Sequence, residues 1–215
     1  MFKRSLVLVL AIALAVSLAS VALAHPGKLD ANGGHFDKET GEDHYHKGPN
    51  ALQSLEIRRN TVYKAKIERV VDGDTAIVSF VFDDGSKYTK ERVRFIGVNT
   101  PETVHPNKPV EYYGKYASNF TQKELTDKTV WLQTDVEVKD RYGRMLAYVW
   151  MSEPTKDDLD NEDAIRENMF NAKLLLDGYA QTMTVQPNSR YSNLFVHFQR
   201  EAREAKRGLW GKEPE

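Results

Sequence analysis

The sequence predicts an α+β protein that is mainly β, and three observations predict it. Residues 61–98 carry three runs rich in β-branched and aromatic side chains. The period changes to that of a helix over 110–125, and two further β runs and two helical runs follow before residue 207. Three strands, a helix, two more strands and further helices is the element order of an OB-fold, a five-stranded barrel that commonly binds nucleic acids.

The elements are preceded by a segment of a different kind. Lys3 and Arg4 stand before an apolar run from Leu6 to Ala19, and Ala22-Leu23-Ala24 supplies a small-x-small cleavage site. Residues 1–24 therefore read as a signal peptide cleaved after Ala24. The run is short for a bilayer span and has no basic stop, so a secreted, extracellular protein without membrane attachment is expected. Residues 25–49 form a His-rich extension holding His25, His35, His44 and His46, too poor in apolar residues to build a core. Its histidines suggest a second metal site for Zn²⁺ or Cu²⁺ and equally a solvated polar extension. Residues 50–60 read as a linker, with a short helix at Ala51 to Arg58.

The domain proper spans 61–212. Strands are expected at Thr61 to Val71, Thr75 to Phe82 and Lys87 to Val98, with Asp83-Asp84-Gly85-Ser86 as the turn between the last two. The helix at Val110 to Leu125 presents Tyr113, Tyr116, Ala117 and Phe120 as an apolar face. Strands at Val130 to Val138 and Met145 to Met151 are joined through Asp140-Arg141-Tyr142-Gly143. An acidic loop over Glu153 to Glu167 leads to helices at Ala164 to Asp177, stopped by Gly178, and at Ser192 to Arg207, stopped by Gly208. Arg200, Arg203, Lys206 and Arg207 read as a solvated face of that last helix.

Composition limits the function. With no cysteine, an exported chain must rely on its core rather than on disulfides. Thirty Lys and Arg against 31 Asp and Glu give −1, and loss of Lys3 and Arg4 with the leader makes it −3. That balance excludes coating of nucleic acid by bulk charge, and it permits an enzyme whose positive charge is confined to a site.

Such a site is legible in residues 71–102. The Thr75 to Val98 hairpin returns its outer ends to one side, so Asp74 at the entry meets Asn99, Thr100 and Glu102 at the exit, with Arg94 entering from the returning strand. Asp72 is the turn residue of the Asp72-Gly73-Asp74 corner. Carboxylate, amide and carbonyl oxygens suit Ca²⁺, and a guanidinium suits a phosphate. A metal and an arginine facing one phosphate suggest phosphodiester hydrolysis.

Asp72-Gly73-Asp74-Thr75, then Arg94-Phe95-Ile96-Gly97-Val98-Asn99-Thr100-Pro101-Glu102, then Asp140-Arg141-Tyr142-Gly143-Arg144-Met145-Leu146-Ala147-Tyr148 resemble the three signature blocks of the staphylococcal nuclease (thermonuclease) family. The likeness runs from about Thr61 to Trp210. It implies closure of the barrel and DNA and RNA as substrates of a Ca²⁺-dependent monomeric nuclease. It implies Asp74, Asn99 and the Thr100 carbonyl as metal ligands. Arg94 and Arg144 are implied as a phosphate clamp, and Glu102 as general base or water orienter. Arg141 and Tyr142, and less directly Lys108 and Tyr113, are implied as substrate contacts. The extension separately resembles His-rich segments ending in Tyr-His-Tyr-His, with Asp43 replacing the first Tyr.

Two positions depart from the family pattern. Asn99 stands where many relatives have Asp, which should weaken Ca²⁺ binding. Met183 falls where the family has a nucleotide-stacking tyrosine. Two rival readings are an OB-fold module that binds nucleic acid with weak catalysis, and an exported metal-binding protein. Decay to a mere binding module should cost Arg94, Glu102 or Arg144, and all three are present.

Overall fold

The computed structural model describes residues 34–37, 42–45, 57–81, 87–103 and 110–211, with the backbone alone at 34–37, 42–45 and 87–89. The expected signal peptide, the Ala51 to Arg58 helix up to residue 56, the Asp83 to Ser86 turn, His25, His46 and Lys108 lie outside the described residues. The chain divides into two compact units, Met1–Ala51 and Leu52–Glu215. In the first, β1 (Gly34–Asp37) pairs antiparallel with β2 (Glu42–Tyr45), and the register sets His35 opposite His44. Their sequence spacing alone did not disclose that pairing.

The second unit is built on a closed five-stranded barrel. Its strands are β3 (Val62–Asp72), β4 (Thr75–Val81) and β5 (Lys87–Phe95), followed after a short β6 (Gly97–Asn99) by β7 (Thr129–Gln133) and β8 (Met145–Trp150). The order around the barrel is β3-β4-β5-β8-β7. Ala65, Ile67, Ala76, Val78, Val93, Leu132 and Ala147 are wholly buried within it, as the period-2 patterning requires. Every junction is antiparallel except β5 with β8, whose parallel pairing sets Arg94 opposite Leu146. That junction closes the barrel and brings the second and third sequence blocks together.

Among the described residues the α-helices are α1 (Gly114–Leu125), α2 (Glu162–Asn168), α3 (Phe170–Leu176) and α4 (Ser192–Glu204). Several expected bounds change. The strand expected to run through Val98 stops at Phe95 and restarts at Gly97, which takes φ +79°, a conformation that glycine adopts without strain. The helix expected from Ala164 to Asp177 begins at Glu162, capped by Asn161, and breaks at Met169. There the chain becomes extended and forms a bridge to Trp150. The acidic stretch holds a 3₁₀ turn at Asp158–Asp160 rather than a plain loop. The buried face of α1 is Gly114, Ala117, Thr121 and Leu125, while Tyr116 is exposed. A short strand the sequence did not announce, β9 (Gln181–Met183), pairs with β6.

Candidate active site

Three strand ends converge. The Asp72-Gly73-Asp74 corner joins β3 to β4, β6 follows the Gly97 kink, and the Asp140–Arg144 turn leads into β8. At the corner, Asp72 takes the turn part: its carboxylate accepts the Gly73 N–H at 2.7 Å and the Thr103 hydroxyl at 2.7 Å. Burial pushes the Asp72 carboxyl up, and these hydrogen bonds oppose the shift. Gly73 has no room for a side chain, because a Cβ there would lie 2.7 Å from Thr100 Oγ1 and 2.9 Å from Thr100 Cβ.

Asp74 is buried and points at the exit of β6. Its Oδ2 accepts the Thr100 N–H at 2.9 Å and lies 3.0 Å from Arg94 Nη2, and its Oδ1 accepts the Thr75 hydroxyl. Arg94 is held in a cup of acceptors: Nη1 donates to the carbonyls of Phe95 and Val98 at 2.8 Å each, and Nη2 donates to Asn99 Oδ1 at 3.1 Å. The Gly97 kink makes this cup by turning the Val98 carbonyl back toward β5. Burial draws the Arg94 guanidinium below its ordinary value, the Asp74 carboxylate opposes that, and Arg144 adds to it.

Arg144 reaches the same place from the barrel's parallel junction. Since Arg94 stands opposite Leu146, period-2 alternation places Arg144 on the same face. Its Nε donates to Asp140 Oδ2 at 2.7 Å, while Asp140 Oδ1 accepts the N–H groups of Tyr142 and Arg144. Gly143, at φ +79°, permits this tight loop. Arg141 and Arg144 both lie over the ring of Tyr142, at 4.7 and 5.4 Å from its centroid. Arg94, Arg141, Tyr142 and Arg144 together line one cleft of about 490 Å³, and Met183 lies on its apolar side. Two arginines lining one cleft give it the positive charge that attracts an anion, and Arg144, bonded through Nε, keeps its Nη donors for hydrogen bonds to it.

The oxygen donors beside that cleft form a coherent set. Asp74 carboxylate, Asn99 amide and Thr100 carbonyl are hard ligands, and Thr100 Oγ1 is buried with no hydrogen-bond partner. An orphaned buried hydroxyl against a carboxylate fits a hard divalent cation, so these residues could hold one. Glu102, half-buried, leaves this exit two residues later with its backbone tied to Glu111 through N–H to Oε2 at 3.1 Å and a returning Glu111 N–H at 2.9 Å.

Tyr113 is placed elsewhere. It sits at the N-terminal boundary of α1 in a ring cluster, 5.0 Å from Tyr116 and 5.8 Å from Tyr179 between centroids, and is not among the residues lining the cleft. Sequence reasoning passed over two supports. Thr121, fully buried on α1, donates its hydroxyl to the Gly73 carbonyl at 2.7 Å and fixes the corner. Asn188, buried beyond β9, exchanges hydrogen bonds with the Glu137 backbone at 2.7 and 2.8 Å and fixes a cleft wall. A polar residue on an otherwise apolar helix face was the only signal for Thr121.

Residues 92–212 match the family described as Staphylococcal nuclease homologue. The chain is 42% identical over 163 residues to a thermonuclease of Staphylococcus intermedius, covering 76% of this chain and 83% of that protein. The thermonuclease of Staphylococcus hyicus gives the same identity and coverage. Endonuclease YncB of Bacillus subtilis (strain 168) is 29% identical over 216 residues, covering 98% of this chain and 93% of that protein.

Proposed function

The chain belongs to the staphylococcal nuclease family, and from that premise we propose that it is an exported, Ca²⁺-dependent nuclease that hydrolyses phosphodiester bonds in DNA and RNA. The observation that carries the reading is the convergence of Arg94 and Arg144 on one cleft beside the oxygen set of Asp74, Asn99 and Thr100. Export rests on the composition of residues 1–24. Among the described residues no helix is long and apolar enough to cross a membrane.

A phosphodiester repels nucleophiles through its own negative charge, so the site must neutralise that charge and orient a water. Asp74, Asn99 and Thr100 would hold Ca²⁺, which when bound supplies Lewis-acid neutralisation of the phosphate. Arg94, anchored on the Phe95 and Val98 carbonyls and paired with Asp74 at 3.0 Å, presents a fixed positive charge. Arg144, oriented by Asp140 through Nε, turns its remaining donors to the phosphate oxygens as charge builds on them. Glu102 accepts a hydrogen bond from the attacking water and aligns it with the phosphorus. Arg141 and Tyr142 flank the neighbouring phosphate.

The test is direct. Purified protein lacking residues 1–24 is incubated with single-stranded DNA and with RNA in Ca²⁺, then in excess chelator. Cleavage of both polymers in Ca²⁺ and its loss with chelator are expected. Full activity in chelator would exclude the metal assignment, and no cleavage in any divalent cation would leave the binding module as the better reading.

A further inference from the structure

One carboxylate in the cleft is left unused by the reaction. Glu137 lines the same cavity as Arg94, Arg141 and Arg144. It is exposed, and no ion pair or hydrogen bond engages its carboxylate among the described residues. Its backbone is nevertheless fixed at both polar atoms: Glu137 N–H donates to Asn188 Oδ1 at 2.7 Å, and Asn188 Nδ2 donates to the Glu137 carbonyl at 2.8 Å. Asn188 is itself buried, and a bridge from Val185 to Asn188 ties this wall to the chain just after β9. Met183 and Val185, both exposed apolar residues, line the same cleft.

A fixed negative charge opposes phosphate binding, so it has no use at the arginine side of the cleft. It has a use where the ligand presents N–H donors against an apolar wall. A nucleobase does both: its face packs on apolar side chains and its edge offers hydrogen bonds. The bases differ in what they offer a carboxylate. Guanine presents N1–H and N2–H₂ side by side, matching the two oxygens, whereas thymine flanks its single N3–H with two carbonyl oxygens that the carboxylate repels.

We propose that Glu137, held in place by Asn188, reads the Watson–Crick edge of a base lying against Met183 and Val185, and makes the cleft prefer guanine to thymine. This rests on the nuclease reading of the cleft, with phosphate at the arginines. It gives Met183 a part as well, since a thioether offers a base a polarizable surface without the directional demand of a tyrosine ring.

Binding of dGMP, dAMP, dCMP and dTMP is measured by isothermal titration calorimetry in Ca²⁺, for the wild-type chain and for Glu137→Gln and Glu137→Ala. The expected result is dGMP binding about tenfold tighter than dTMP in the wild type, a preference that falls to within about twofold in both variants, with dTMP binding equal or tighter there. Equal binding of all four by the wild type would overturn this inference and leave the phosphate cleft standing. A uniform tightening of all four in the variants would also overturn it, because Glu137 would then act only as a charge. No binding of any nucleotide would overturn both this inference and the reading it rests on.

Discussion

Arg94 is the residue on which the site turns, and its surroundings separate two kinds of failure. Its guanidinium is buried, paired with Asp74 at 3.0 Å and bonded to two carbonyls. Removing one partner of such a pair leaves an uncompensated buried charge at a cost of about 3–5 kcal/mol. Arg94→Ala should therefore lose both stability and turnover, whereas Arg94→Lys keeps the charge and loses the fork. The lysine variant should melt above Arg94→Ala and still show kcat lowered by at least about 10²-fold. Arg144 is partly exposed and, among the described residues, paired through its Nε with Asp140, so Arg144→Ala, like Glu102→Gln, should lose about 10² in kcat with little change in melting temperature. Asn99 gives a prediction of opposite sign. Replacing its amide with a carboxylate adds one negative charge beside the cation, and Asn99→Asp should tighten Ca²⁺ by about tenfold, or about 1.4 kcal/mol, with little change in turnover at saturation. Calcium titrations of initial cleavage rate on both proteins measure it.

At the scale of elements, the site depends on contacts between segments that carry no charge. Gly73 leaves the space that the Thr100 side chain occupies. Gly73→Ala should displace Thr100, weaken Ca²⁺ by at least about tenfold and destabilise by about 1–3 kcal/mol, read by calcium titration and thermal melting. Far from the cleft, Arg166 on α2 pairs bidentately with Glu201 on α4 and lies over the Phe198 ring. That hydrogen bond to Arg166 holds the Glu201 carboxyl below its usual range. A depressed carboxyl contributes stability above its unfolded value and loses it as pH falls through its folded value. Glu201→Gln should thus melt lower than wild type at pH 7, by no more than about 2–4 °C for a pair this exposed, and the gap should close as pH falls below about 4. A gap that widened in acid would contradict the pairing.

At the scale of the molecule, the strands were legible because they alternate and their corners carry glycine and aspartate, whereas closure of the barrel followed from the family resemblance. The meeting of Asp74 with Thr100 followed from the hairpin alone. What the sequence hid was non-local. The Gly97 kink that points the Val98 carbonyl at Arg94, the break of the helix at Met169 against Trp150, and the Thr121 hydroxyl on Gly73 all depend on a partner distant in the chain. Tyr116 has the spacing of a buried residue, yet α1 is rotated so that Thr121 faces in instead. The division into Met1–Ala51 and Leu52–Glu215 gives a prediction at this scale: deleting residues 25–49 should leave Ca²⁺-dependent cleavage intact, and a loss measured on single-stranded DNA would assign the extension to the nuclease site. The central claim, that a cation held at Asp74 drives hydrolysis in the arginine cleft, is tested most directly by titrating Ca²⁺ against the initial rate of single-stranded DNA cleavage for the wild type and Asp74→Asn. A variant that needs far more Ca²⁺ and stays slower at saturation by at least about 10²-fold is the predicted result; a variant with the wild-type calcium dependence and rate would contradict it.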